Sequence, residues 1–155
     1  MKYNDFAEML DALQEVPDFS CGDGVSDDVI RLAEKVLGIK FSPQIIKYLL
    51  DFSFIEFDGI ELYGIVKEDF SSEITEGCMV EWAVSERTET DLNPNYIPIK
   101  FEDDGNMVFF DFGDLGSDGE PKVISATFDG KTYVKESVLA EDFGDYLLEL
   151  TEDLE

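Results

Sequence analysis

Phe54-Ile55-Glu56-Phe57-Asp58-Gly59-Ile60-Glu61-Leu62-Tyr63-Gly64-Ile65-Val66 is the stretch in which the chain changes its hydrophobic period. Upstream of it, apolar residues recur at helical spacing; within it, Phe54–Phe57 and Ile60–Val66 form two short apolar runs of strand type. The Asp58-Gly59 pair between them is a strong two-residue hairpin signal, because the favoured hairpin turns require left-handed backbone that Asp and Gly tolerate. The chain before this hairpin reads as mainly helical, and most of the chain after it reads as sheet.

Working upstream, Ser42-Pro43 opens a helix that buries Ile45, Ile46, Leu49, Leu50 and Phe52. Proline at the first helical position sacrifices no hydrogen bond. Before it, Ser26 caps a helix with Asp27 and Asp28 in the first turn, Val29, Ile30, Ala33, Val36 and Leu37 as its apolar face, and Gly38 as its left-handed stop. The first helix follows Asn4 as N-cap, repeats Phe6, Leu10 and Leu13, and ends at Pro17. Ser20–Gly24 reads as a loop.

Downstream, Met79–Glu89 suits a helix through Val80, Ala83, Val84 and Arg87, although Val80, Trp82 and Val84 also alternate. Tyr96–Phe101 is a strand that Pro98 pushes toward an edge or a bulge. Met107–Phe112 is apolar on both faces, as a central strand is. Asp129-Gly130 turns Val123–Phe128 into Thr132–Val134, and Phe143, Leu147, Leu150 and Leu154 mark a closing amphipathic helix. The expected architecture is α+β: N-terminal helices, a largely antiparallel central sheet of about four to six strands, and a C-terminal covering helix. With 155 residues and no linker or repeat, residues 1–155 are expected to form a single domain.

Composition narrows the chemistry. Eleven basic residues against 37 acidic ones give a formal charge of −26, which repels phosphate backbones and anionic lipid and steers basic partners inward. Direct nucleic-acid or membrane binding is therefore not expected. The chain has no His, which removes the usual general base, the Ser-His and Cys-His dyads and His-based zinc sites. Cys21 and Cys78 are too far apart in sequence for a CxxC pair and read as reduced thiols. The N-terminus has no apolar signal segment, and no stretch approaches the ~20 apolar residues of a membrane span, so a cytoplasmic location is expected.

Sites built from carboxylates need more than abundance. Glu56 with Glu61, or Asp111 with Asp114, fits a glycosidase spacing, but chance pairs are frequent in so acidic a chain. Asp111–Glu120 invites a calcium reading. On the EF-hand pattern with Asp114 first, Gly116 stands at the third ligand position and Ser125 at the anchoring one, so a Gly-rich acidic loop explains it better. Neither Gly22-Asp23-Gly24 nor Gly113–Gly119 supplies a phosphate-binding lysine or spacing. Trp82, alone among thirteen Phe, reads as core. No catalytic residues, cofactor or metal site are expected, and the chain is not read as an enzyme.

Several segments, taken in order, resemble the SUKH superfamily, which includes the yeast Smi/Knr cell-wall assembly regulator and many bacterial immunity proteins. Val29–Pro43 is similar to the family's helix with its "aE…LG…LP" ending, and Ile46–Leu50 to the helix after it. Glu61-Leu62-Tyr63-Gly64-Ile65 resembles the "elyGi" strand, Asn95–Ile99 "yipi", and Gly105–Asp111 the "G…yylD" strand. Gly119–Val123 resembles "GE.pV" and Asp142–Leu147 the closing helix. The resemblance spans roughly residues 26 to 150. It departs from the family at Phe41-Ser42-Pro43 and at Phe52-Ser53-Phe54, where a double glycine is common.

The resemblance implies an α+β fold and, as in bacterial members, neutralisation of a cognate toxin, with no shared catalytic motif. A nuclease groove is basic because it holds phosphates, so a basic nuclease-type toxin domain is the expected partner. On that reading Asp103, Asp104, Asp111, Asp114, Asp118 and Glu120 mimic phosphates, within a stretch from Phe101 to Pro121 that holds seven acids and no base. Glu136–Glu155 holds a further eight acids, several against the dipole at the end of the last helix. The chain is expected to act as a monomer or weak dimer. The alternative is a non-enzymatic cytosolic regulatory scaffold of the cell-wall assembly regulator type.

Overall fold

A computed structural model describes residues 1–70, 76–102, 104–116 and 118–153. Three helices come first: α1 (Tyr3–Leu13), α2 (Asp27–Leu37) and α3 (Pro43–Phe52). In α1, Phe6, Leu10 and Leu13 are buried as the spacing requires. Its N-cap, however, is Lys2 rather than Asn4, because Phe6 N–H already bonds to Lys2 C=O at 3.0 Å and draws Asn4 into the first turn. At α2, Ser26 Oγ accepts from Val29 N–H at 3.3 Å, and Gly38 adopts φ 71° with its N–H on Glu34 C=O. Val36 falls off the buried face and is exposed. Helix α3 starts at Pro43 and buries Ile45, Tyr48, Leu49 and Phe52, while Leu50 points outward.

The hairpin forms as its turn residues dictate. Strands β2 (Ile55–Phe57) and β3 (Ile60–Leu62) pair antiparallel, with Asp58 at φ 49° and Gly59 at φ 75°. A two-residue strand, β1 (Ser20–Cys21), joins β2, so the segment read as a loop begins as sheet. Beyond β3, Gly64 N–H bonds to Gly77 C=O at 2.9 Å, and a Cβ on Gly64 would stand 1.6 Å from Ser53 C=O. Only glycine fits that approach. Helix α4 (Met79–Glu89) comes next, resolving the ambiguous stretch as helix, with Met79, Val80 and Ala83 buried and Val84 exposed.

The second sheet is a meander of β4 (Tyr96–Phe101), β5 (Asn106–Leu115), β6 (Pro121–Phe128) and β7 (Tyr133–Ala140), each antiparallel to the next. Pro98 lies on the edge strand β4 beside a register shift, and β5 is interior with Met107–Asp111 all buried. Strand β7 runs six residues past Val134 because two bulges disguise it: Ser125 faces Ser137 while Ala126 faces Lys135, and Val123 faces Ala140 while Ile124 faces Val138. Glu136 and Leu139 are therefore extra residues that break the alternation. The strands thus divide between sheets of three and four, which meet where Tyr63 N–H bonds to Ile99 C=O at 2.7 Å.

Helix α5 (Phe143–Glu152) covers the larger sheet. Asp142 caps it by accepting from Asp145 N–H at 2.8 Å. Phe143 packs its ring against Tyr48, Phe110 and Phe6, with centroids 5.0, 5.2 and 6.0 Å away, so helices α1, α3 and α5 and strand β5 converge on one side chain. Leu154, the last residue of the expected apolar stripe, lies outside the described residues.

Candidate partner-binding surface

Strand β5 lies between Asp104 and Asp118, two of the carboxylates that the sequence groups together. Asp104 lies in the turn before it and Asp118 in the turn after it. Ten residues at about 3.3 Å each put those turns on the order of 30 Å apart, at opposite ends of the sheet. Asp103 lies outside the described residues.

Two of the remaining carboxylates are interior groups rather than surface anions. Asp111 stands on the same face of β5 as Met107 and Phe109 and is 6% exposed; its Oδ1 accepts from Gly113 N–H at 3.0 Å and its Oδ2 lies 3.9 Å from Lys135 Nζ. Glu120 is 3% exposed, and its Oε2 accepts from the N–H of Gln44 at 3.2 Å. Burial pushes the Glu120 carboxyl up from its ordinary value, against the opposing pull of the Gln44 N–H. Its Oε1 and the Ser42 hydroxyl have no formed hydrogen bond. Asp114 is half-exposed but already compensated, with Lys122 at 3.1 Å and Lys135 at 3.8 Å. Asp104 receives Asn106 N–H at 3.0 Å and stays exposed; Asp118 is exposed and makes no ion pair among the described residues.

Glu120 belongs to a buried polar network that ties distant parts of the chain. The Gln44 amide donates to Met1 C=O at 2.9 Å and accepts from Gly144 N–H at 2.9 Å, and it lies 3.4 Å from Asp142. The Met1 ammonium pairs with the same Asp142 carboxylate. These contacts stitch α1, α3, the start of β6 and the start of α5.

Among the described residues, further exposed acid without an ion pair lies at two other places. Glu56 and Glu61 face each other across the β2–β3 hairpin, both exposed. Burial first, then the charges of Glu76 and Glu56, push the Glu61 carboxyl above its ordinary value. Beside it, the Tyr63 ring stacks on Trp82 at 6.5 Å, and Trp82 meets the half-exposed Phe101 edge-on at 5.9 Å. Trp82 is thus partly buried, as a core residue at the rim. At the other end of the molecule, Glu149 and Glu152 stand exposed near the C-terminal end of α5, whose last turn holds no basic residue. The two-residue turn fixes the 56–61 register, so that pairing is readable in the sequence, and the α5 acids are visible there as a cost to the helix dipole.

Cys21 and Cys78 are both free, the first exposed and the second buried. Among the described residues no helix is long and apolar enough to cross a membrane, and no three His, Cys, Asp or Glu gather as a metal site.

The sequence model of the family SUKH_5, described as SMI1-KNR4 cell-wall, matches residues 4–152. No curated protein matches the chain. Gly64, one of the glycines in the motifs that carry the resemblance, is the residue packed against Ser53, and the matched span takes in every helix and strand described above apart from the first residue of α1. The chain belongs to the SUKH family of SMI1-KNR4 type.

Proposed function

We propose that the chain is an immunity protein that acts in the cytoplasm by docking on a basic, nuclease-type toxin domain and covering the groove that holds its substrate. The observation that carries this reading is acid placed against the fold's own electrostatics. Glu56 opposes Glu61 across a strand pair, and Glu149 and Glu152 oppose the dipole of α5. Each arrangement lowers stability by some tenths of a kcal/mol. A surface selected only for solubility has cheaper positions for charge, whereas a surface selected for a cationic partner needs the charge where the partner sits.

Membership of a family in which immunity proteins are common supports the reading, as does a charge of −26. Function here is occlusion: the carboxylates draw the toxin's basic groove in, and close packing keeps nucleic acid out. Asp104 and Asp118 remain available for it; Asp111 and Glu120, being buried, are left out of the contact.

The test is coexpression with the toxin domain encoded beside this gene. Growth restored by the chain, and not by an unrelated protein of equal acidity, supports neutralisation. Absence of a secreted, variable-tailed toxin gene from the neighbourhood, or failure to restore growth against such a toxin domain, would turn the reading toward a regulatory scaffold.

A further inference from the structure

The groove between strand β7 and helix α5 combines apolar surface with one sign of charge. Val138 and Leu148, 43% and 40% exposed, both line it, and so do Glu141, Asp145, Glu149 and Glu152. Among the described residues, no Lys or Arg lines it. Asp145 has the Met1 ammonium at 3.5 Å and Glu141 has Lys122 at 4.0 Å, whereas Glu149 and Glu152 make no ion pair among the described residues.

The way a partner can use this place is constrained by β7 itself. It is the last strand of its sheet, but the extra residues Glu136 and Leu139 and the charged Lys135 interrupt the row of backbone groups that an added strand would need. Docking there is by side chains. A second copy of this chain is a poor occupant, since it would bring another surface of the same −26 charge against these four carboxylates. An occupant with aliphatic side chains for Val138 and Leu148, and ammonium or guanidinium groups for Glu149 and Glu152, satisfies both features at once.

We propose that the β7–α5 groove receives a cationic amphipathic segment of the partner protein. This rests on the reading of a basic protein partner and names the face that meets it. The apolar strip supplies the desolvated centre and the acids supply the rim, which is the usual anatomy of a protein interface.

The experiment titrates the full chain with a short amphipathic Lys/Leu peptide and its Glu/Leu counterpart, following methyl resonances by NMR. The expected result is shifts concentrated at Val138, Leu139 and Leu148 with the cationic peptide only. The double variant Glu149→Lys/Glu152→Lys should weaken binding about tenfold, while Glu56→Lys/Glu61→Lys, an equal change in net charge, should weaken it less than about threefold. The first variant relieves the helix dipole, so loss of folding is not expected to obscure the result. Shifts centred on the β2–β3 hairpin, equal loss from both variants, or concentration-dependent self-association through the same methyls would overturn the proposal. In the growth assay, no rescue by the wild type counts against the toxin-binding reading, whereas full rescue by Glu149→Lys/Glu152→Lys counts against this groove alone.

Discussion

Glu56 and Glu61 stand directly opposite each other in the β2–β3 hairpin, two like charges in a position where opposite charges stabilise a sheet. The arrangement is a consequence of the Asp58-Gly59 turn, which fixes the register and leaves neither side chain free to move to another partner strand.

Replacing Glu61 with Lys should therefore raise stability at neutral pH by about 0.2–1 kcal/mol, read by urea denaturation. The pH dependence has a definite sign. Since burial and the charges of Glu76 and Glu56 raise the Glu61 carboxyl in the folded state, the folded chain holds that proton more tightly than the unfolded one. This group's contribution is most favourable below the ordinary Glu value and declines as pH rises through the folded one. Glu61→Gln should remove that decline; an unchanged profile would contradict a raised Glu61 carboxyl in the folded state.

Glu120 gives a second case with the same sign and a different cause. Its carboxyl is raised chiefly by burial, and one oxygen has no formed hydrogen bond. Glu120→Gln keeps an acceptor for Gln44 N–H and removes a buried charge, so it should stabilise the protein by about 1 kcal/mol at neutral pH and by nothing below the ordinary Glu value. Equal effects at both pH values would contradict the burial argument.

Removing the amide at Gln44 should act in the opposite direction. Gln44→Ala leaves Gly144 N–H and Met1 C=O without their partner in a site that is 1% exposed. The expected cost is about 2–3 kcal/mol, with faster hydrogen exchange at Gly144. Exchange unchanged at that amide would mean that water replaces the side chain.

Gly64→Ala is the severest single change predicted. A methyl placed 1.6 Å from Ser53 C=O forces the backbone after β3 away from α3, breaking the junction with Gly77. A loss of about 3 kcal/mol or more is expected on denaturation.

Much of this fold is legible where local chemistry decides it. Ser26 and Gly38 bound α2, Pro43 starts α3, and Asp58-Gly59 and Asp129-Gly130 mark turns, because each residue's own backbone preference fixes the local path. The features that escape a sequence reading depend on partners distant in the chain. Strand β7 hides behind two bulges whose existence is defined only by β6, and β1 is too short to show alternation at all. The distribution of the described carboxylates is hidden for the same reason. Nothing local shows that β5 separates Asp104 from Asp118, nor that Glu120 meets a residue seventy-six positions away at Gln44. Asp111 is the readable exception, since alternation puts it in line with Met107 and Phe109.

If charge brings this chain to a positively charged protein surface, the effect is read in the association rate with the basic toxin domain proposed as its partner. Measured by stopped flow, that rate should fall at least about tenfold between low salt and ~0.15 M ionic strength, with dissociation nearly constant. An association rate that stays flat across that range would contradict electrostatic capture.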